Sequence, residues 1–325
     1  MAQQQKTVLQ IINAVQQELG LPVSATVFGN SDLTTVQLLA LLQLANEELR
    51  DFNDAGWAVL QTELNLVVNP PITVTGDLGL NSAVITNISP NTTGLAANYW
   101  YVSGPTIPQG ARILSVDSPT QVTMTMESTG VSPGATIVFA QDTYAMPPDF
   151  DFFQNRTWWD RTNRWELLGP DSPQMDQWHR SGIIATGPRR HFRKLGPYAN
   201  NYRLWPPPSE ITEPIQLVYE YISFYSVASA ANPQTVFQKD FQTDGDMPML
   251  DDRALIMSVK WRFWEQKGLN WTSKRDEYDT YVGRIAARDE GSATLSLVQR
   301  VNPIFLSPAN VQDGFFPGPV GPNVA

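Results

Sequence analysis

The chain has 325 residues, of which 42% are hydrophobic and 17% charged, so it can bury the cores of about two or three domains but carries little charge for a soluble monomer. Its formal net charge of −10 disfavours a general role in coating DNA, because an acidic surface repels the phosphate backbone. The absence of cysteine excludes disulfides and thiolate metal sites, and the chain has no uninterrupted run of about 20 apolar residues that would predict a membrane span.

Residues 1–56 predict two helices that form the first half of a helical bundle. Apolar side chains recur at the spacing of one helix face at Val8, Ile12, Val15 and Leu19. Ser31 or Asp32 caps a second helix that extends to about Phe52. Its main apolar stripe, from Leu38 to Phe52, is interpreted as core, and Leu39 and Leu44 widen that stripe. A helix that is apolar on more than one side is expected to pack against other elements on each of those sides.

Residues 57–70 predict a first β-strand, and residues 71–140 predict an inserted small β-sandwich or barrel module. Charge nearly vanishes in the insertion, and short β-like runs alternate with Gly, Pro and Asn. The predicted strands cover residues 72–75, 83–88, 99–102, 112–116, 122–126 and 136–139.

The sequence predicts three further structural regions in the rest of the chain. Residues 141–240 form a β-rich portion with short helices, and residues 241–291 form the second half of the helical bundle. Asp251 or Asp252 caps the first helix of that second half. Residues 292–325 are interrupted by prolines and almost uncharged, which is typical of an extended C-terminal arm that clasps a neighbouring subunit.

The predicted fold class is therefore α+β. It combines a discontinuous helical bundle, with helices from both ends of the chain, and a β-rich middle portion. The inserted β-sandwich or barrel module and the extended C-terminal arm complete this predicted architecture.

Residues 147–208 combine five tryptophans with arginines and prolines, and buried protein–protein contacts favour tryptophan and arginine. Four motifs follow in order: Pro-Asp-Phe at 148–150, Trp-Asp-Arg-Thr-Asn-Arg at 159–164, Leu-Gly-Pro-Asp-Ser-Pro at 168–173 and Trp-Pro-Pro-Pro at 205–208. Together with the leucine-rich helix at 38–47, they resemble the head-to-tail connector (adaptor) proteins of tailed bacteriophages, which bind under the portal. The resemblance covers the chain outside residues 72–139 and the C-terminal tail.

This resemblance implies a virion structural protein without enzymatic activity. It implies a homo-oligomeric ring, a dodecamer, that contacts the portal protein on one side and the tail tube or nozzle protein on the other. DNA would pass through the lumen during ejection without sequence-specific binding, and no membrane would be involved. The implied location is the head–tail interface of the virion, after synthesis in the host cytoplasm. The β insertion departs from the simpler adaptors.

No residue set predicts covalent catalysis, and we expect no catalytic residue, cofactor or metal. The chain has only two histidines, and its close carboxylate pairs lie at 149/151, 244/246 and 251/252. We interpret the first pair as turn residues and the last pair as helix caps. Two alternatives stay open: a cell-wall-degrading hydrolase that uses a carboxylate pair, and a carbohydrate-binding or tail-fibre-associated module built on the β insertion.

Residues 177–209 form a basic strip, against the net charge of the chain. The strip contains both histidines and no acid, and its charged residues are Arg180, Arg189, Arg190, Arg193, Lys194 and Arg203. We predict that it contributes, with apolar residues of the arm, to an intersubunit or portal contact. The candidate contact residues are Arg180, Arg189, Arg190, Arg193, Lys194, Phe305, Phe315 and Phe316. The alternatives are a solvated loop whose charges pair with acids of the same chain, and a contact with DNA phosphates.

Overall fold

The computed structural model describes residues 5–97, 99–180, 190–195 and 201–289, with the side chain of Arg180 excepted. Within these residues the protein has α-helices and several β-sheets, which confirms the α+β class. The candidate contact residues Arg189, Phe305, Phe315 and Phe316 lie outside the described residues, and so does the predicted arm.

Five α-helices occur among the described residues. They are α1 (Val8–Leu19), α2 (Leu33–Phe52), α3 (Pro173–Arg180), α4 (Asp252–Gln266) and α5 (Thr272–Asp289). A short 3-10 helix at Ala58–Leu60 precedes the first strand.

The strands in chain order are β1 (Gln61–Val68), β2 (Ile72–Leu78), β3 (Val84–Ser89), β4 (Trp100–Ser103), β5 (Ile113–Ser118), β6 (Gln121–Met124), β7 (Ser132–Gln141), β8 (Thr143–Ala145) and β9 (Phe150–Phe153). They continue with β10 (Trp159–Asp160), β11 (Trp165–Glu166), β12 (His191–Leu195), β13 (Asn201–Trp205), β14 (Ile215–Ser223), β15 (Val227–Ala228), β16 (Phe237–Gln238) and β17 (Met247–Pro248).

The chain divides into two compact units. The first contains the described parts of residues 5–63, 149–154 and 220–289, and the second contains the described parts of 64–148 and 155–219. Each unit is therefore discontinuous in sequence.

The first unit is built around α1, α2, α4 and α5, whose buried side chains share one hydrophobic core. Three of these helices begin at a side-chain cap, which satisfies amides that a helix leaves unpaired. Thr7 forms a capping box with Gln10, Asp32 accepts from the Thr35 amide, and Asp251 accepts from the Ala254 amide. Of the paired cap predictions, the structure thus selects Asp32 and Asp251.

In the second unit, the predicted insertion forms one six-stranded antiparallel sheet in the order β4-β7-β2-β3-β6-β5. Its two edge strands nearly meet, since Tyr101 and Arg112 form a bridge and the Val102 amide donates to the Ala111 carbonyl at 2.9 Å. Of the two forms that the sequence predicts, the structure has the barrel-like one. The inside is filled by apolar side chains that include Val74, Ile85, Val102, Ile113, Ile137 and Phe139.

A cluster of aromatic rings organises the rest of the second unit. Trp158, which is 2% exposed, stacks against Phe192 and Tyr219 with ring centroids 4.0 and 3.9 Å away. Tyr202 meets the same indole edge-on at 5.1 Å. Because Phe192 lies in β12 and Tyr202 in β13, this stack fixes the hairpin that carries part of the basic strip.

Candidate assembly surface

An apolar stripe lies on the outside of α2. The stripe consists of Leu33, Val36, Ala40 and Leu44, all exposed, and the charged Glu48 separates it from Phe52, which is also exposed. Their spacing of three and four residues places the four stripe residues on one side of the helix, opposite Leu38, Leu42 and Leu49, which are buried. The exposed fractions are 80% for Leu33 and 43–45% for Val36, Leu44 and Phe52.

The stripe corrects one interpretation from the sequence. Phe52 is assigned there to the core, and Leu44 to the widened edge of the same stripe. In the structure, α4 packs against the face of α2 that carries the buried leucines. Leu44 and Phe52 are therefore exposed and lie outside the hydrophobic core. The apolar pattern shows two faces, but it does not show which one the chain itself covers.

The carboxylate pair of Asp244 and Asp246 holds loops of the first unit together. Asp244 accepts hydrogen bonds from the amides of Val27 and Phe28, at 3.0 and 2.8 Å. Asp246 is 1% exposed. It accepts from the amides of Ala230, Gln242 and Thr243 and from the side chains of Gln238 and Thr243.

Hydrogen bonds act on the pKa of Asp246 in the opposite direction to burial. Burial raises that pKa, whereas the backbone amides and the Thr243 hydroxyl lower it, and the net direction is downward. A carboxylate held ionised by five donors is a structural anchor rather than a general acid.

The pair of Asp251 and Asp252 lies at the start of α4. Asp251 caps the helix and also accepts from the Tyr281 hydroxyl at 3.2 Å. Asp252 is the first helical residue and accepts from the Lys6 amide at 2.8 Å, while burial raises its pKa. The cap interpretation therefore holds for Asp251 and is wrong for Asp252, because only the residue before the first helical turn can cap it.

The pair of Asp149 and Asp151 is only partly a turn. Asp149 accepts from the Tyr221 hydroxyl at 3.0 Å, and its carbonyl accepts from the Phe224 amide. Asp151 lies inside β9, so the turn interpretation is wrong for it. The strand continues through Asp151 because its neighbours pair with β14 in the first unit.

Part of the basic strip is engaged within its own unit. Arg193 donates to Asp176 at 2.6 Å, and Asp176 is 3% exposed. Arg190 is half-buried, and that burial lowers its pKa against the opposing charge of Asp160. Lys194 is exposed on β12. For Arg193 this matches the alternative in which a charge of the strip pairs with an acid of the same chain.

Arg180 ends α3, whose exposed face carries Met175 and Trp178, 46% and 45% exposed. Trp158 lies in the core of the second unit, whereas Trp178 reaches solvent. In the barrel, Trp100 and Tyr101 are each 9% exposed, so these two rings of β4 offer little surface to a sugar.

Both histidines meet Asp171, a grouping that the sequence analysis misses. His179 Nε2 lies 3.7 Å from one Asp171 carboxylate oxygen, and His191 Nδ1 lies 3.5 Å from the other. The two imidazole rings are 4.3 Å apart. Asp171 and His179 are eight residues apart, and His191 lies on a β-strand twelve residues further along, so no short motif in the sequence indicates the cluster.

The function has to be inferred from the residues of the chain itself, because no protein-family model matches it and no curated protein matches its sequence. In the part of the chain that the structure describes, no helix is both long and apolar enough to cross a bilayer. The α2 stripe, the basic strip and the cluster around Asp171 are the surface features that call for a partner or ligand.

Proposed function

We propose that this chain is a virion structural protein of a tailed bacteriophage, a head-to-tail adaptor. Copies associate into a dodecameric ring that joins the portal to the tail and lets DNA pass through its lumen. The proposal draws on the resemblance of the motifs at 148–150, 159–164, 168–173 and 205–208 to adaptor proteins.

The observation that carries the proposal is the apolar stripe of α2. The stripe follows α2 from Leu33 to Leu44, about 17 Å at a rise of 1.5 Å per residue. A row of exposed apolar side chains on one helix face is a candidate contact with another protein. We assign that contact to a second copy of the chain.

A contact between the stripe and a different face of the next copy is head-to-tail. Such contacts close into a ring when the rotation per copy divides a full turn. The ring is acidic, since each copy carries a net charge of −10, and acidic walls repel the phosphate backbone. This suits a lumen through which DNA moves without being bound.

The finer architecture belongs to the same proposal. The helical bundle, with helices from both ends of the chain, surrounds the channel, and the barrel points outward. The arm at 292–325 reaches a neighbouring copy or the portal. The exposed residues of the basic strip contribute to one of these contacts.

The experiment compares the wild type with Leu44→Glu, which puts a charge in the stripe. Val131→Glu is the matched control, because Val131 is also an exposed aliphatic side chain but lies in the barrel. Light scattering after size exclusion gives the mass. We expect rings for the wild type and Val131→Glu, and smaller species for Leu44→Glu at unchanged circular dichroism.

If Leu44→Glu formed rings over the same range of protein concentration as the wild type, that result would contradict the assigned interface. A wild type that stays monomeric at every concentration, alone and with portal, would contradict the adaptor proposal itself.

A further inference from the structure

Three potential metal ligands converge in the second unit: Asp171, His179 and His191. They come from three segments, namely the loop before α3, the last turn of α3 and the start of β12. Their ligand atoms all lie within 4.8 Å of one another. The grouping therefore depends on the tertiary fold rather than on neighbouring positions in the sequence.

Backbone hydrogen bonds hold this arrangement in place. The Asp171 amide donates to the Phe192 carbonyl at 2.8 Å, and the Phe192 amide donates to the Leu168 carbonyl at 2.9 Å. Phe192 is itself fixed by its stack on Trp158. Asp171 and His191 are thus positioned by the core of the unit, and a site on such rigid elements is preorganised.

Two ring nitrogens of the cluster lack hydrogen bonds. His179 Nε2 and His191 Nδ1 are buried and find no hydrogen-bond partner among the described residues. Both point toward Asp171, at 3.7 and 3.5 Å, which is longer than a normal hydrogen bond. A buried polar atom without a partner requires an explanation, and an ion that binds both nitrogens supplies one.

We propose that Asp171, His179 and His191 bind a divalent transition-metal ion of the zinc class, with water completing the coordination. Imidazole and carboxylate are ligands that Zn²⁺ accepts, at about 2.0–2.2 Å. Ligand atoms at that radius in a tetrahedron are about 3.3–3.6 Å apart. The imidazole nitrogens lie 3.7 and 3.5 Å from different Asp171 oxygens, and the three ligand atoms lie within 4.8 Å of one another, so small side-chain shifts would close the site around an ion. The three side chains keep 12–21% exposure, which leaves access for a water ligand.

The ion would connect α3, which ends at Arg180, to β12, which carries Arg193 and Lys194. Arg180 follows His179, and Arg193 lies two residues beyond His191. The ion thus acts as a structural crosslink next to the predicted contact residues. The inference does not depend on ring formation, and it replaces the expectation that the chain has no metal site.

The test uses tag-free full-length chain, titrated with Zn²⁺ by calorimetry and with Co²⁺ by visible absorption. We expect one ion per chain. We expect the Zn²⁺ affinity to fall at least about tenfold in each ligand variant, namely His179→Gln, His191→Gln and Asp171→Asn. Loss of a residue that only supports a metal ligand already costs about that much, so loss of a ligand should cost at least as much. Asp54→Asn, at an exposed acid of the first unit, is the matched control and should bind like the wild type.

A second readout uses the wild type alone, so it does not depend on variants that fold. The chain has only two histidines and no cysteine, so two imidazole signals in the NMR spectrum report on the whole site. Zn²⁺ should shift both signals together at one equivalent. Histidine signals unchanged at saturating Zn²⁺, or equal Zn²⁺ affinity in the wild type and all three ligand variants, would overturn the proposal.

Discussion

At the scale of single residues, the second unit contains a buried ion pair whose removal should be costly. Arg112 and Asp142 are 7% and 0% exposed and form a two-pronged pair, with Thr143 donating to Asp142 as well. Arg112→Met leaves the carboxylate buried without its partner. We expect a loss of about 3–5 kcal/mol in the free energy of unfolding, measured by urea denaturation.

The double variant Arg112→Met/Asp142→Leu separates pairing from burial. Since it removes both charges, it should recover most of the lost stability. A double variant no more stable than Arg112→Met would show that the pair contributes more than it loses in desolvation.

Asp246 makes the corresponding prediction for the first unit. Asp246→Asn leaves several backbone amides without an ionised acceptor, so we expect a loss of about 2–4 kcal/mol at pH 7. The folded pKa is lowered, so the contribution of Asp246 is fully present above its unfolded pKa of about 3.9 and disappears as pH falls through the folded value.

The measurement is urea denaturation of both proteins between pH 7 and pH 3. The difference between wild type and Asp246→Asn should shrink below about pH 4, where Asp246 of the unfolded wild type begins to protonate and the folded state does not yet do so. Asp54→Asn, exposed in the same unit, should lose almost nothing. A gap between wild type and Asp246→Asn that stays constant with pH would contradict the assigned role.

At the scale of elements, the two ends of the barrel segment lie next to each other, so the segment can be deleted. Ile72 and Phe139 are direct antiparallel partners of β2 and β7, so the entry and exit of the insertion lie side by side. A short turn can therefore replace residues 71–140. The deletion also removes Arg112, so Asp142→Asn should accompany it to avoid an unpaired charge.

We expect this deletion variant to form rings with the wild-type copy number, observed by negative-stain microscopy. The mass of its ring should be lower than that of the wild-type ring by the mass of one deleted segment per copy. Monomers with a folded circular-dichroism spectrum would show instead that the barrel belongs to the assembly interface.

At the scale of the whole molecule, the sequence predicts the elements better than the sites. Helices α1 and α2 and the six barrel strands follow from local periodicity and turn residues, since burial of one face repeats every 3.6 or 2 residues. The exposure of Phe52 could not be predicted, because it depends on where α4 packs. The meeting of Asp171 with His191 depends on the path of the chain between them, which no periodic pattern encodes.

We propose that the protein works by assembling into a ring, and electron microscopy of the purified full-length chain would show whether that ring exists. Two-dimensional averages, recorded alone and after mixing with the portal, give symmetry and binding together. We expect closed rings with twelve-fold symmetry, stacked coaxially on the portal. Solitary particles in both samples, with no density added to the portal, would contradict it.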